Sequence, residues 1–372
     1  MNFKFYPKES KIYDFLKFPR LLFYREESKK REMENNYEGL VIDDYLDFVK
    51  DVEERLTVLR EDIQKFYGAS FLYEYDFIDL ITQSHGICNT IYGYEDERDY
   101  LKLLLELSKE EISRNLIYSL IQINEEYLND NEDVMERARD ISGNKDHMIS
   151  FIKELSIEAS SKWNLFLIVE DPKGHMKSYI DLMMEILPIF NRVYEIYEEE
   201  ILSYGKKLES FLNENGEEGL KNISYSMIDS KLIENQDIKL IVSKVYSYAV
   251  SMFNVKEDSY VVWGFKMEET FKKMKEIDEN KTQGRVQIFK NLGDKTRYET
   301  LKLIAQGQSS TTEIAKKLGV STATISYHIN NFLTTKVIKL DKRDKRYGYT
   351  IDYELLSKVI EGLKEDLLFP NP

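Results

Sequence analysis

The chain has one cysteine, Cys88, among 372 residues. A lone thiol can form neither an internal disulfide nor a thiolate cluster, so disulfide-stapled scaffolds and cysteine-held metal centres are excluded. Four histidines, at 85, 147, 175 and 328, are scattered and make no His-Glu-x-x-His pair. There is no Gly-rich phosphate loop, no strained serine elbow and no Cys pair, so no enzyme activity is expected and no cofactor. No run of about 18 uncharged apolar residues exists, which argues against a transmembrane helix. The opening residues Met1 to Glu9 lack the apolar stretch of a secretory signal, and a cytoplasmic setting is expected. Internal repeats and low-complexity segments are also missing.

What is present is an apolar fraction of 42%, enough for a real core, over a length that suits two or three domains. The net charge of −15 would ordinarily argue against a nucleic-acid partner, but it is unevenly spread. From residue 281 onward 16 basic side chains face 10 acidic ones, a net of +6; the first 280 residues carry 36 against 57, a net of −21. Such asymmetry suits a DNA-reading module attached to a body that does not bind DNA.

The first 215 or so residues read as mostly helical. From Asp44 to Phe66 the positions Leu46, Val49, Val52, Leu56, Leu59 and Ile63 recur close to a 3.6 period. Ser108 and Glu111 have capping-box spacing ahead of an apolar-periodic stretch to about Leu128. Asp171 followed by Pro172 is another start signal, and Lys173 to about Leu212 predicts one long helix that Pro188 should kink or break. Asn213 to Glu218 looks like a loop. Then Ile238–Ser243, Tyr248–Phe253 and Tyr260–Gly264 are short and rich in β-branched and aromatic residues, and predict an antiparallel meander over about 238–264. Lys266 to about Asp278 returns to helix, and the polar Glu279–Gly284 marks the domain boundary. The predicted fold is therefore α+β and mainly α-helical. A helical body with a small meander occupies 1–280, and a winged helix-turn-helix domain occupies 281–372.

The chemistry concentrates between residues 291 and 351. Asp294 is a good N-cap, and Leu301, Leu303 and Ile304 line the buried face of a helix ending near Gly307. Ile314, Ala315 and Leu318 mark a short helix that Gly319 ends as a left-handed cap. Ser321 caps the next helix, in which Ile325, Ile329, Phe332 and Leu333 make one core-facing stripe. The other face carries Thr322, Thr324, Ser326, Tyr327 and Asn330, with Ala323 among them. Small side chains near a helix N-terminus admit the backbone to the major groove, hydroxyls can bond phosphates or base edges, and methyls can touch thymine. Val337–Leu340 and Tyr347–Ile351 alternate as strands around a tip that holds Lys342, Arg343, Lys345 and Arg346. Those four cations suit phosphate contact or insertion into a narrow minor groove.

In this span Leu292-Gly-Asp, Thr296-Arg297, Glu313-Ile-Ala, Leu318-Gly-Val-Ser, Thr324-Ile-Ser-Tyr-His328 and the wing tyrosines Tyr347 and Tyr349 fall in one order. It resembles the winged helix-turn-helix of the ArsR (arsenical-resistance repressor) family, over less than a quarter of the chain. The resemblance implies a homodimer on double-stranded DNA bearing an imperfect inverted repeat, with Ser321 to Leu333 as recognition helix. It places His328 as a phosphate contact or a brace. It also implies a dimer interface built from about Gln283–Leu292 and Asp352–Leu368, the latter with Leu355, Leu356, Val359, Ile360, Leu363, Leu367 and Leu368 on a broad apolar face. Two departures matter. Lys295 stands where the family usually has proline. Residues 309–315 lack the family's metal-sensing cysteines, and no histidine follows His328, so metal sensing in this domain is not expected.

The body supplies a further expectation, either a small-molecule effector site or a dimerisation surface. Trp163, Phe166, Phe190, Tyr194 and Tyr197 would fence an apolar pocket or simply fill the core. The composite expectation is a cytoplasmic, dimeric DNA-binding repressor that meets no membrane. The alternative is an interaction module whose winged domain docks a protein.

Overall fold

Buried apolar side chains fall into two clusters, one running from Phe3 to Phe271 and one from Ile288 to Val359. The computed structural model describes residues 1–25, 43–68, 71–72, 75–82, 90–125, 132–233, 235–255, 258–279, 281–308, 310–343 and 346–369. Cys88 and His85 lie outside the described residues. Among those described, no helix is long and apolar enough to cross a membrane.

The body starts with β1 (Asn2–Phe5), α1 (Pro7–Lys17) and a 3-10 segment (Phe18–Phe23). Helices α2 (Asp43–Leu56), α3 (Arg60–Ile63), α4 (Phe77–Ile81), α5 (Glu97–Glu106) and α6 (Lys109–Glu125) follow, then α7 (Glu132–Ser142), α8 (Lys145–Glu154) and α9 (Ala159–Glu170). The 3.6 period of α2 holds for Val49, Val52 and Leu56, which are buried, whereas Leu46 is exposed. The capping box at α6 is present: Ser108 N donates to Glu111 Oε2 at 2.8 Å, and Glu111 N to Ser108 Oγ at 3.1 Å.

Helix α10 (Pro172–Tyr194) is the central element and touches α1, α2, α5, α6 and α9. Asp171 caps it by accepting from Gly174 N. The expected break at Pro188 does not occur. Proline blocks the bond to the carbonyl four residues back, that of Met184, and Met184 lies on the exposed side where water can serve that carbonyl. The chain turns at residues 195–197 instead, and α11 (Glu198–Ile223) begins there. Asn213 to Glu218 is not a loop; it lies inside α11, which kinks at Gly216 (φ 55°). Asn213 serves the neighbouring strand: its amide accepts from Phe3 N and donates to Phe3 O, both at 2.8 Å, while Glu209 accepts from Phe5 N at 3.0 Å. Together they satisfy the open edge of β1, which would otherwise be free to pair with another chain.

Strands β2 (Asp237–Ser243), β3 (Val250–Val255) and β4 (Asp258–Gly264) exist, but the expected antiparallel meander is overturned. The sheet order is β1-β2-β4-β3; β1 and β4 flank β2 in parallel and β3 alone is antiparallel, to β4. Strand composition signals a strand but not its neighbour. Ile238, Leu240, Ile241 and Val242 are all buried, the near-continuous apolar run of a central strand with parallel partners. Gly264 closes β4 where an added Cβ would strike the carbonyls of Tyr246 and Ser247.

Buried charges of the first helices pair with one another, whereas Asn191 Oδ1 and Asn235 Nδ2 are buried without a partner. Lys17 Nζ meets Asp76 at 3.0 Å and Asp79 at 2.5 Å, and Arg20 Nη1 meets Asp76 at 2.8 Å. Of the two readings of the body's aromatics, core packing describes Phe190 and Tyr194. Phe190 is fully buried against Phe15, Phe18 and Tyr194, Tyr197 packs on Phe48, and Trp163 stands 63% exposed on α9.

Helix α12 (Met267–Glu279) leads to α13 (Lys281–Leu292), with the two helices separated only by residue 280. The C-terminal cluster comprises α13 together with α14 (Lys295–Ala305), α15 (Thr311–Leu318), α16 (Thr322–Thr334), β5 (Ile338–Arg343), β6 (Arg346–Ile351) and α17 (Tyr353–Asp366).

Candidate nucleic-acid interface

Helices α14, α15 and α16 each start on a side-chain cap that the sequence supplies. Asp294 Oδ1 accepts from Arg297 N at 2.8 Å, Ser310 Oγ from Glu313 N at 3.2 Å and Ser321 Oγ from Thr324 N at 3.1 Å. Such caps satisfy amides that a helix start leaves unpaired. Gly319 ends α15 at φ 67°, a left-handed conformation that costs glycine nothing. The chain can therefore reverse into α16 within three residues. Ile314, Ala315, Ile325, Ile329 and Phe332 are buried and lock α15 against α16, with Leu318 and Leu333 partly buried beside them.

That packing fixes which side of α16 faces outward. Asn330 is exposed; Ser321, Thr322, Ala323, Thr324, Ser326 and Tyr327 are half-buried. Thr324 Oγ1 and Ser321 Oγ share a hydrogen bond at 2.8 Å, which fixes the hydroxyl pair at the helix start. The face is thus made of small polar groups on a rigid helix, with one aromatic, Tyr327, whose ring lies 5.6 Å from that of His328.

His328 faces the other way. It is only 8% exposed, and neither ring nitrogen has a hydrogen-bond partner. A side chain so enclosed does not reach a phosphate from this position; it fills space beneath the helix. Burial, reinforced by the nearby Arg297 guanidinium and only partly opposed by Asp294, pulls its pKa down to about 4. It is therefore neutral at physiological pH. Asn331 Nδ2 is also buried without a partner, so α16 carries a polar seam on its inner side.

Strands β5 and β6 pair antiparallel from Ile338 opposite Ile351 to Arg343 opposite Arg346. That register puts the backbones of Lys342, Arg343 and Arg346 at the closed end of the hairpin. Lys345 and Asp344 lie outside the described residues. Lys339 Nζ reaches Asp352 at 2.6 Å and ties the base of the hairpin to the start of α17, holding the Asp352 carboxyl below its ordinary range.

Helix α17 packs on α13, where Arg285 Nη2 meets Asp366 Oδ2 at 2.6 Å. Val359 is buried, Leu355 and Leu356 are partly so, and Ile360, Leu367 and Leu368 are exposed.

Local pattern does not signal one relationship. Thr322, the first residue of α16, donates to the backbone carbonyl of Ser156 at 3.2 Å, and Thr312 Oγ1 donates to the carbonyl of Asn124 at 3.0 Å. Both acceptors belong to the N-terminal body.

Residues 295–336 match the model of the bacterial regulatory proteins, luxR family (GerE). The match spans α14, α15 and α16 and ends before the hairpin. Comparison with curated proteins and with solved structures gives no match. The chain thus carries a C-terminal helix-turn-helix DNA-binding domain of the kind found in bacterial transcription regulators. The family matched is luxR, not the ArsR family that residues 291–351 resemble.

Proposed function

We propose that the chain is a sequence-specific transcription repressor that binds double-stranded DNA as a homodimer, in the manner of ArsR-type winged regulators. The observation that carries this reading is α16 itself: a capped, rigidly packed helix with an outward face of short hydroxyl and amide side chains. Thr322, Thr324, Ser326, Tyr327 and Asn330 would meet base edges and phosphates, with Ser321 and Ala323 letting the backbone close in. His328 braces the helix. The hairpin cations Lys342, Arg343, Lys345 and Arg346 would hold flanking phosphates. Exposed Ile360 on α17, with Leu367 and Leu368 just after it, supports pairing with a second copy, which would set two α16 helices against an inverted repeat. Residues 1–280 act as the regulatory body, through an effector or through dimer contacts, and the whole works by binding, without catalysis, in the cytoplasm.

Selection from a random duplex pool by the full-length protein tests this. Enrichment of a motif with two half-sites about one helical turn, roughly 34 Å, apart is expected. Recovery of unenriched sequence would contradict specific recognition.

A further inference from the structure

We infer that the N-terminal body holds the helix-turn-helix in an autoinhibited arrangement, gripping it by the two helix starts that would face DNA. The inference rests on the reading of α16 as a DNA-recognition helix. Thr322 is the first residue of α16 and Thr312 the second of α15. In a helix-turn-helix the N-terminal end of the second helix enters the major groove while the first helix crosses the backbone. Helix starts also attract phosphate oxygens, because their free amides and dipole present partial positive charge.

Here the oxygens at those two points are protein carbonyls. Asn124 lies in the last turn of α6, whose negative dipole end therefore meets the positive start of α15. Ser156 lies between α8 and α9, and its carbonyl takes the Thr322 hydroxyl. These carbonyls stand in for phosphate oxygens. The body that supplies them carries the chain's acidic excess, so while it sits there it also repels a duplex. This accounts for an acidic body on a DNA-reading chain: released, it leaves the positive C-terminal region free; docked, it blocks it. Two neutral hydrogen bonds make a weak clamp, a coupling of about ten- to a hundredfold, which an effector or a high-affinity operator could overcome.

The test uses the full-length chain with Cys88→Ser, Asn124→Cys and Thr312→Cys. A short bifunctional methanethiosulfonate bridges the two new thiols and is removed by reductant. The probe is a fluorescent random-sequence duplex at low salt. Bridging is expected to weaken binding about tenfold or more, with recovery on reduction. A second variant, Ser156→Trp, enlarges the residue whose carbonyl takes the Thr322 hydroxyl, to disturb that contact, and is expected to tighten binding several-fold. Equal affinity of bridged and reduced protein, or failure to bridge, overturns the inference and leaves the DNA reading intact. No binding by the reduced protein and none by Ser156→Trp overturns the DNA reading and the inference with it.

Discussion

Ser243 donates its hydroxyl hydrogen to the Asp14 carboxylate across 2.5 Å, joining α1 to the end of β2 in the interior of the body. Backbone amides of Lys244 and Val245 donate to the same carboxylate. Burial pushes the Asp14 pKa up to about 7, outweighing these donors. At a pH below the ordinary aspartate value the group is protonated both folded and unfolded. Between that value and about 7 only the folded form keeps its proton, so folding loses stability as pH rises, by up to about 1.4 kcal/mol per unit. Asp14→Asn should remove this slope. Urea denaturation across that range checks it; equal slopes in the two proteins would contradict the assignment.

Asp76 is the hub of the buried ion cluster, and Asp76→Ala should be far more damaging. Burial alone would raise its pKa, but Lys17 and Arg20 pull it below the ordinary range. Removing the carboxylate takes away the buried anion that Lys17 and Arg20 share and leaves Asp79 as the carboxylate on Lys17. The expected loss is about 3–5 kcal/mol, read as a lower melting temperature. A loss under about 1 kcal/mol would mean the cluster is open to water.

His328→Leu should stabilise the C-terminal cluster. The imidazole is buried with two unpartnered nitrogens, and leucine occupies similar space without them. A gain of about 1 kcal/mol at neutral pH is expected. The folded pKa lies below the ordinary 6.5, so acidification from 6.5 towards 4 lets the unfolded chain take up a proton that the folded chain refuses. Stability therefore falls over that window in the parent and should not in the variant, a difference of up to about 3 kcal/mol. A variant that loses stability at neutral pH would show that a solvent or side-chain partner serves His328.

Neutralising the hairpin with Lys342→Gln, Arg343→Gln, Lys345→Gln and Arg346→Gln should weaken DNA binding and flatten its salt dependence. Each lost phosphate contact lowers the slope of log affinity against log salt by about 0.9. A reduction of roughly 2–4 units is expected if most of the four touch the backbone. An unchanged slope would favour a hairpin that docks protein.

The helix-turn-helix was legible because its signals are local. Asp294 and Ser321 cap, Gly319 turns, and Ile325, Ile329 and Phe332 keep helical spacing, so a few residues of chain encode each decision. The sheet was not legible in the same way: β2 announces itself as a strand, yet one partner, β1, lies more than 200 residues away, and the other, β4, is reached past β3 and pairs in parallel. Asn213 reads as a loop residue because its value lies in bonding Phe3, which no local window contains. Pro188 reads as a break because composition does not say which carbonyl faces water. Thr322 reads as a groove contact, and its bond to Ser156 becomes visible only when the two clusters are seen together. His328 matched a family position, while its burial depended on the packing of α14 beneath it.

The most direct test of the central claim is footprinting of the full-length protein on DNA from its own source at two salt concentrations. A few sharp, palindromic protected sites that weaken steeply with salt are predicted, and Asn330→Asp together with Ser326→Asp should erase them while the fold persists. Complete lack of protection at low salt, by the parent protein and by the opened Ser156→Trp variant alike, would contradict the account.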